Sequence, residues 1–188
     1  MNRIIIICLA FLFFNVITAQ EHLLEAPDDW RKEQLTLPPH FAPDINIKGV
    51  QYVRFSKGWG DTNSNQFWTF TFAWHLDEVI EVSEAQLSND LTLYFNGLFQ
   101  LIGSRKDISK ETILNTTDIN FEFDKKEKEY IGKAKLFDIF FSEKPMLLNI
   151  KASVDTCDGK QIVYYRFSLK EFDHELWDIM EDIRISCE

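Results

Sequence analysis

GVQYVRFSKGWGDTNSNQFWTFTFAWHLD, residues Gly49–Asp77, alternates aromatic and polar side chains through its second half. It reads as two strands joined by a polar loop. Val53 and Phe55 share one face of the first strand. In the second, Trp68, Phe70, Phe72, Trp74 and Leu76 recur at every other residue, the period of a half-buried strand. Large aromatic side chains dominate the energetics of any core they enter, so this face is assigned to the interior. The other face carries Thr69, Thr71, Ala73, His75 and Asp77, and its polarity predicts contact with water or a ligand. The intervening loop is dense in turn formers, among them Gly58, Gly60, Asp61, Asn63, Ser64 and Asn65. Trp59 sits in its middle. An indole there either folds back on the core, the commoner course, or contacts a ligand.

Upstream, Met1–Ala19 has the three parts of a secretory signal. Arg3 gives the positive start, Ile4–Phe14 the apolar run, and Ile17-Thr18-Ala19 the small-residue end before Gln20. The run is short of the roughly 20 residues that span a membrane, and no second run of that length follows. An uncleaved anchor is the alternative. A lipoprotein is disfavoured, because Cys8 lies inside the apolar run behind bulky Ile7. The mature chain is therefore expected to be secreted or periplasmic, without a membrane span. The formal charge of −10 becomes −11 once Arg3 is removed, which argues against nucleic acid or an anionic membrane as partner. Cys157 and Cys187 remain. Export permits one disulfide between them, closing a loop for which chain entropy suggests on the order of 3–4 kcal/mol; two buried free thiols are the equal alternative.

Residues 20–44 read as an extended lead-in. Pro38, Pro39 and Pro43 forbid regular helix there, Trp30 is a candidate anchor, and His40 is expected at the surface. Ser83–Ile102 is the clearest helix. Ser83 and Gln86 have capping-box spacing, and Leu87, Leu91, Tyr94, Phe95, Leu98, Leu101 and Ile102 form an apolar stripe. Gly103 is placed as the residue after the helix, and Gly97 suggests close packing against the sheet. From Thr116 two antiparallel hairpins follow. The loop Lys125–Lys128 sets Phe123 opposite Tyr130 and Asp118 opposite Lys135, with a bulge expected near Leu136-Phe137. Asp158-Gly159 is a strong type I′ turn signal and aligns Val154 with Val163, Ala152 with Tyr165 and Ile150 with Phe167. A short helix from Asp173 would bury Leu176, Trp177, Met180 and Ile183.

The chain carries no Gly-x-Ser-x-Gly elbow, phosphate loop, His-Glu-x-x-His pair or Cys-x-x-Cys, and its histidines are scattered singly. No catalytic set, metal site or cofactor is expected. Asn115-Thr116-Thr117 matches a glycosylation sequon. Two features stand out. His75 and Asp77 lie two apart on one strand face, where a carboxylate can orient an imidazole. The Asp158-Gly159 register sets Lys151 directly opposite Arg166, beside Ser153 and Tyr164, and two cations side by side ask for an anion: a carboxylate of this chain, solvent ions or a ligand. Arg54 joins them if its strand lies nearby.

Phe41-Ala42-Pro43-Asp44, Lys48-Gly49-Val50, Arg54-Phe55, Gly58-Trp59 and Phe67-Trp68 resemble a group of uncharacterised exported bacterial proteins. The likeness covers about the first half of the mature chain. It implies an exported bacterial origin and no activity, and it carries over no functional residue.

The expectation is a single α+β domain over residues 45–188, preceded by the lead-in. An antiparallel sheet of about six strands packs on one main helix, with a short C-terminal helix as a second cover. A curved sheet gripping a helix leaves a concavity beside it, a common ligand site. The functional expectation is an exported, non-enzymatic binding or interaction protein for an unidentified small molecule or protein. A small hydrolase using His75 is the alternative, and a structural component of an envelope complex a further one. The candidate ligand-binding residues are Arg54, Trp59, His75, Asp77, Lys151, Tyr164 and Arg166. N-terminal sequencing of the exported product should begin at Gln20; recovery of a mature cytoplasmic protein retaining Met1 would contradict the signal.

Overall fold

A computed structural model describes residues 23–187, so the expected signal, Met1–Ala19, lies outside the described residues. The strands are β1 (Leu24–Glu25), β2 (Arg31–Leu37), β3 (Gly49–Phe55), β4 (Phe70–Leu76), β5 (Asp118–Asp124), β6 (Glu129–Phe137), β7 (Pro145–Cys157), β8 (Lys160–Ser168) and β9 (Arg184–Ile185). The helices are α1 (Glu84–Gly103), α2 (Lys110–Thr116) and α3 (Leu176–Glu181). Seven strands form one antiparallel sheet in the order β2-β3-β4-β8-β7-β6-β5, and β1 pairs separately with β9. The α+β class, the antiparallel sheet, the main helix and the short C-terminal helix are as expected. The lead-in supplies the additional strand: β2 pairs with β3 from Arg31↔Phe55 to Leu37↔Gly49 and forms one edge.

Both hairpin registers agree with the sequence. Asp158 and Gly159 have φ of 50° and 77°, as a type I′ turn requires, and Ile150↔Phe167, Ala152↔Tyr165 and Val154↔Val163 follow. Asp118↔Lys135 and Phe123↔Tyr130 hold in the other. The expected bulge is not formed. Gly132, Ala134 and Leu136 stay in phase to the end of β6, and the chain turns only at Asp138. The Asp138 carboxylate accepts from the N–H groups of Phe140, Phe141 and Ser142 at 3.1, 3.1 and 2.7 Å, and this local cap changes the phase.

One face of the sheet carries the aromatic core. Phe70 stacks on Phe167 with ring centroids 4.5 Å apart, Phe72 lies 5.6 Å from Trp74, and Trp74 lies 5.2 Å from Tyr165. Leu87, Leu91, Tyr94, Phe95 and Phe99 of α1 close over them. Helix α1 and then α2 carry the chain across this face from β4, in mid-sheet, to β5 at the far edge. Ser83 caps α1 by accepting from Gln86 N–H at 3.2 Å, while the Gln86 side chain turns to Asp90 instead of completing the capping box. The polar atoms buried here are chained together: Trp74 Nε1 donates to Gln51 Oε1 (3.3 Å), and Gln51 Nε2 donates to the Tyr94 hydroxyl (2.8 Å). Burial pushes the Tyr94 phenol up to about 12.

Several local expectations are corrected. Trp68 is in the core but stands before β4 with a φ of 54°, and the strand begins at Phe70. Gly103 is the last residue of α1, with a right-handed Ser104 cap after it. A Cβ at Gly97 would lie 2.0 Å from the Phe41 carbonyl oxygen, so the helix makes its close approach to the proline-rich loop and not to the sheet. Helix α2, capped by Ser109 and pinned by buried Ile113, was not anticipated.

The largest correction concerns the face of Thr69, Thr71 and Ala73. All three are fully buried, not solvated. Leu23, Leu24 and Trp30 from one chain end, and Trp177, Met180 and Ile183 from the other, form a second apolar layer over them. The C-terminal helix is thus a cover for the opposite face from α1. Cys157 and Cys187 are joined, which ties this layer to the end of β7. Trp30 and Trp177 are both buried in this layer, in one cluster with Ala73.

Trp74→Ala should destabilise the protein by about 3–5 kcal/mol, because it opens a cavity in the packed face and leaves Gln51 Oε1 without its donor. Denaturant titration measures this; a loss under about 1 kcal/mol would mean that the face is not close-packed.

Candidate functional site

The sheet register lays Arg54, Thr71, Arg166 and Lys151 in one row across β3, β4, β8 and β7. The neighbouring row is Tyr52, Ala73, Tyr164 and Ser153. Of the seven candidates, Arg54, Lys151, Tyr164 and Arg166 lie on this face, and His75 and exposed Asp77 lie at its end. Thr71 was not chosen, since a threonine on a strand face carries no signal until its neighbours are known.

The cations are met by the protein itself. Lys151 Nζ pairs with Glu181 of α3 and stands 5.6 Å from the Trp177 ring centroid. Arg166 Nη1 donates to Glu129 Oε1 at 3.0 Å, and its guanidinium lies 4.5 Å from the centroid of the Tyr164 ring. The like-charge pair across β7 and β8 is therefore resolved by two internal carboxylates. Arg54 differs. Its Nε donates to the Leu24 carbonyl (3.1 Å) and its Nη1 to the Val53 carbonyl (2.9 Å), and among the described residues no carboxylate joins them. Burial holds its pKa below the usual guanidinium value, partly offset by Tyr164 and Tyr52. Burial likewise pushes the Tyr164 phenol up, against the pull of the Arg166 charge.

His75 and Asp77 share the end of β4 without forming a pair in the recorded contacts of the described residues. His75 is half-buried, 6.5 Å from the Tyr52 ring centroid, and Asp77 is engaged by Lys160 Nζ at 3.3 Å. The Ser153 hydroxyl donates to Asp155 Oδ2 at 3.0 Å. Among the described residues no group of three His, Cys, Asp or Glu could hold a metal ion.

Trp59 lies apart, on the aromatic face. It folds back, with ring centroids 4.7 Å from Phe55, 5.6 Å from Trp68 and 5.0 Å from Phe141. Its loop is locked by Gly58 N–H donating to Gln66 Oε1 (3.2 Å) and Trp68 N–H donating to the Trp59 carbonyl (3.1 Å). Trp59, Trp68, Phe55, Phe95, Leu98 and Phe140 line a cavity of about 260 Å³ between the β2 edge of the sheet and α1. This is the concavity expected of a sheet beside a helix. The Nε1 atoms of Trp59 and Trp68 are both buried without a hydrogen-bond partner. At the rim, the exposed Arg31 guanidinium lies 4.5 Å from the Phe55 centroid and 5.4 Å from that of Trp59. Its ion pair with Glu33, at 3.2 Å, is solvent-exposed and correspondingly weak.

Arg166→Gln should destabilise the protein by about 1–3 kcal/mol, because it strands the poorly exposed Glu129 carboxylate. Adding Glu129→Gln should recover part of the loss. A double-mutant cycle by denaturant titration reads the coupling, and additivity of the two changes would show that the pair does not hold in solution.

Comparison with known proteins adds no relative: no family model matches the chain, and no curated protein or solved structure is significantly similar to it.

Proposed function

We propose that the protein is an exported binding protein that holds a small, mainly apolar ligand in the cavity between the β2 edge and α1. The observation that carries this reading is the cavity itself, walled by aromatic and aliphatic side chains, with Arg31 and Glu33 as its charged lining residues. Few, well-placed polar groups in an apolar concavity are the usual makeup of a small-molecule site. The cavity, at about 260 Å³, suits a ligand below drug size. Arg31 at the rim favours an anionic or carbonyl-bearing end facing outward. Export rests on the reading of Met1–Ala19. A binding role is preferred over hydrolysis because Asp77 is engaged by Lys160 and Ser153 by Asp155.

The probe is 8-anilinonaphthalene-1-sulfonate, which joins an apolar body to an anion. Its fluorescence should rise saturably with the native protein. Leu98→Trp, which fills the cavity from α1, should abolish the rise. Trp59→Ala, which removes one aromatic wall of the cavity, should weaken binding about 10-fold or more, the value of one buried aromatic contact. Linear, non-saturating fluorescence, or an unchanged titration in Leu98→Trp, would refute the site.

A further inference from the structure

We infer that the cavity between the β2 edge and α1 holds a free α-amino acid with an aromatic side chain, its ring inside and its carboxylate and ammonium groups on Arg31 and Glu33. This rests on the reading of the cavity as a ligand site and names the class of the ligand. The charge is all at one place: Arg31 and Glu33 are the charged side chains among the lining residues, and both belong to β2. They stand two apart on an extended strand, hence on the same face and about 7 Å apart along the chain. Their side chains are exposed by 58% and 45%, whereas Trp68, Phe70, Phe72, Phe95 and Phe99 behind them are buried. The cavity therefore has an apolar interior and a mouth that carries one positive and one negative group.

A mouth with both signs selects differently from one with a cation alone. A carboxylate bound at Arg31 meets repulsion from Glu33, whose Oε1 is 3.2 Å from the guanidinium, unless the ligand brings its own cation. An α-amino acid does, since its ammonium and carboxylate share one carbon, and the four charges can then alternate. Parting Arg31 from Glu33 for this is easy, because an exposed ion pair contributes only about 0–1 kcal/mol. Arg31 is already in place: its guanidinium is held over the rings of Phe55 at 4.5 Å and Trp59 at 5.4 Å. A guanidinium laid on a ring binds a carboxylate through its edge, where its N–H donors are. The interior sets the side chain. Phe55, Trp59, Trp68 and Phe140 meet at centroid separations of 4.7 to 5.8 Å in tilted or edge-on contacts, an arrangement that takes one more ring. A dry apolar cavity of about 150 Å³ accommodates benzene, so about 260 Å³ has room for one ring and the carbon that joins it to the zwitterion. Such a ligand is neutral overall, and the acidic balance of the chain does not oppose it.

Titration of the exported chain with L-phenylalanine, followed by calorimetry, is expected to show saturable binding. N-acetylphenylalanine lacks the ammonium and phenylalaninamide lacks the carboxylate. Each should bind at least about 3-fold more weakly, as loss of one partly exposed ion pair requires. Leucine, which has no ring, should also bind more weakly. The effects of substitution should be specific to the ligand. Glu33→Gln should weaken phenylalanine more than N-acetylphenylalanine, and Arg31→Gln should weaken phenylalanine more than phenylalaninamide. Both residues are exposed, so neither change threatens the fold. Equal affinities for phenylalanine, its acetyl form and its amide would overturn the inference, as would leucine matching phenylalanine or an equal loss for every compound in both variants. Saturable binding of 8-anilinonaphthalene-1-sulfonate without binding of phenylalanine would remove the amino acid and keep the cavity as a site. Failure of both probes would remove the cavity as well, so the two readings are told apart.

Discussion

The protein depends on the pairing of β4 with β8 in the middle of its sheet, because these two strands are buried on both faces. On one side, Phe70 and Phe72 of β4 pack against Phe167 and Tyr165 of β8. On the other, Thr69 and Ser168 hydroxyls meet at 3.1 Å, and Thr71 and Ala73 leave room for the terminal layer. Strands buried on both sides must satisfy every polar side chain they carry, since water reaches neither face. Most of the functional questions about this molecule follow from how far that requirement is met.

On the aromatic face it is met at the β3–β4 end and unmet at the loop. Gln51 links Trp74 to Tyr94, so donors and acceptors there are matched. Farther along, Trp59 and Trp68 supply donors only, and the packing opens into a cavity beside them. On the second face, the long cations reach carboxylates from β6 and α3, yet Arg54 does not. A fold that could have buried aliphatic side chains at these places instead buries two indole donors without acceptors and a guanidinium held by carbonyls. Unpaired polar groups of this kind are rare in native interiors and invite a ligand as their explanation.

The candidate sites were legible to different degrees. Lys151 and Arg166 could be set opposite one another because Asp158-Gly159 fixes a local register, and Arg54 could be suspected from its facing. Their neutralisation by Glu181 and Glu129 could not be read, since many carboxylates in an acidic chain are equivalent until the chain is folded. Thr71 was invisible for a similar reason: its significance is the pair of arginines on either side of it. Trp59 was noticed as an indole in a turn, but the cavity beside it needs β2, the loop and α1 together. His75 and Asp77 looked like a pair only because strand alternation puts them on one face, whereas Lys160 on β8 takes the carboxylate.

By itself, the sequence determined what short-range physics controls. The period-2 run in β4 set the core face, a two-residue turn set the β7–β8 register, and a capped apolar stripe set α1. These need only neighbours along the chain or across one hairpin. The tertiary structure alone decided that the sheet has no solvated face in its middle. The layer that covers Thr69, Thr71 and Ala73 comes from Leu23–Trp30 and Leu176–Ile183, at opposite ends of the described chain, joined through β1–β9 pairing and the Cys157–Cys187 bond. A polar strand face is compatible with water or with cover, and which of the two occurs depends on contacts between residues far apart in sequence. No periodicity encodes such contacts.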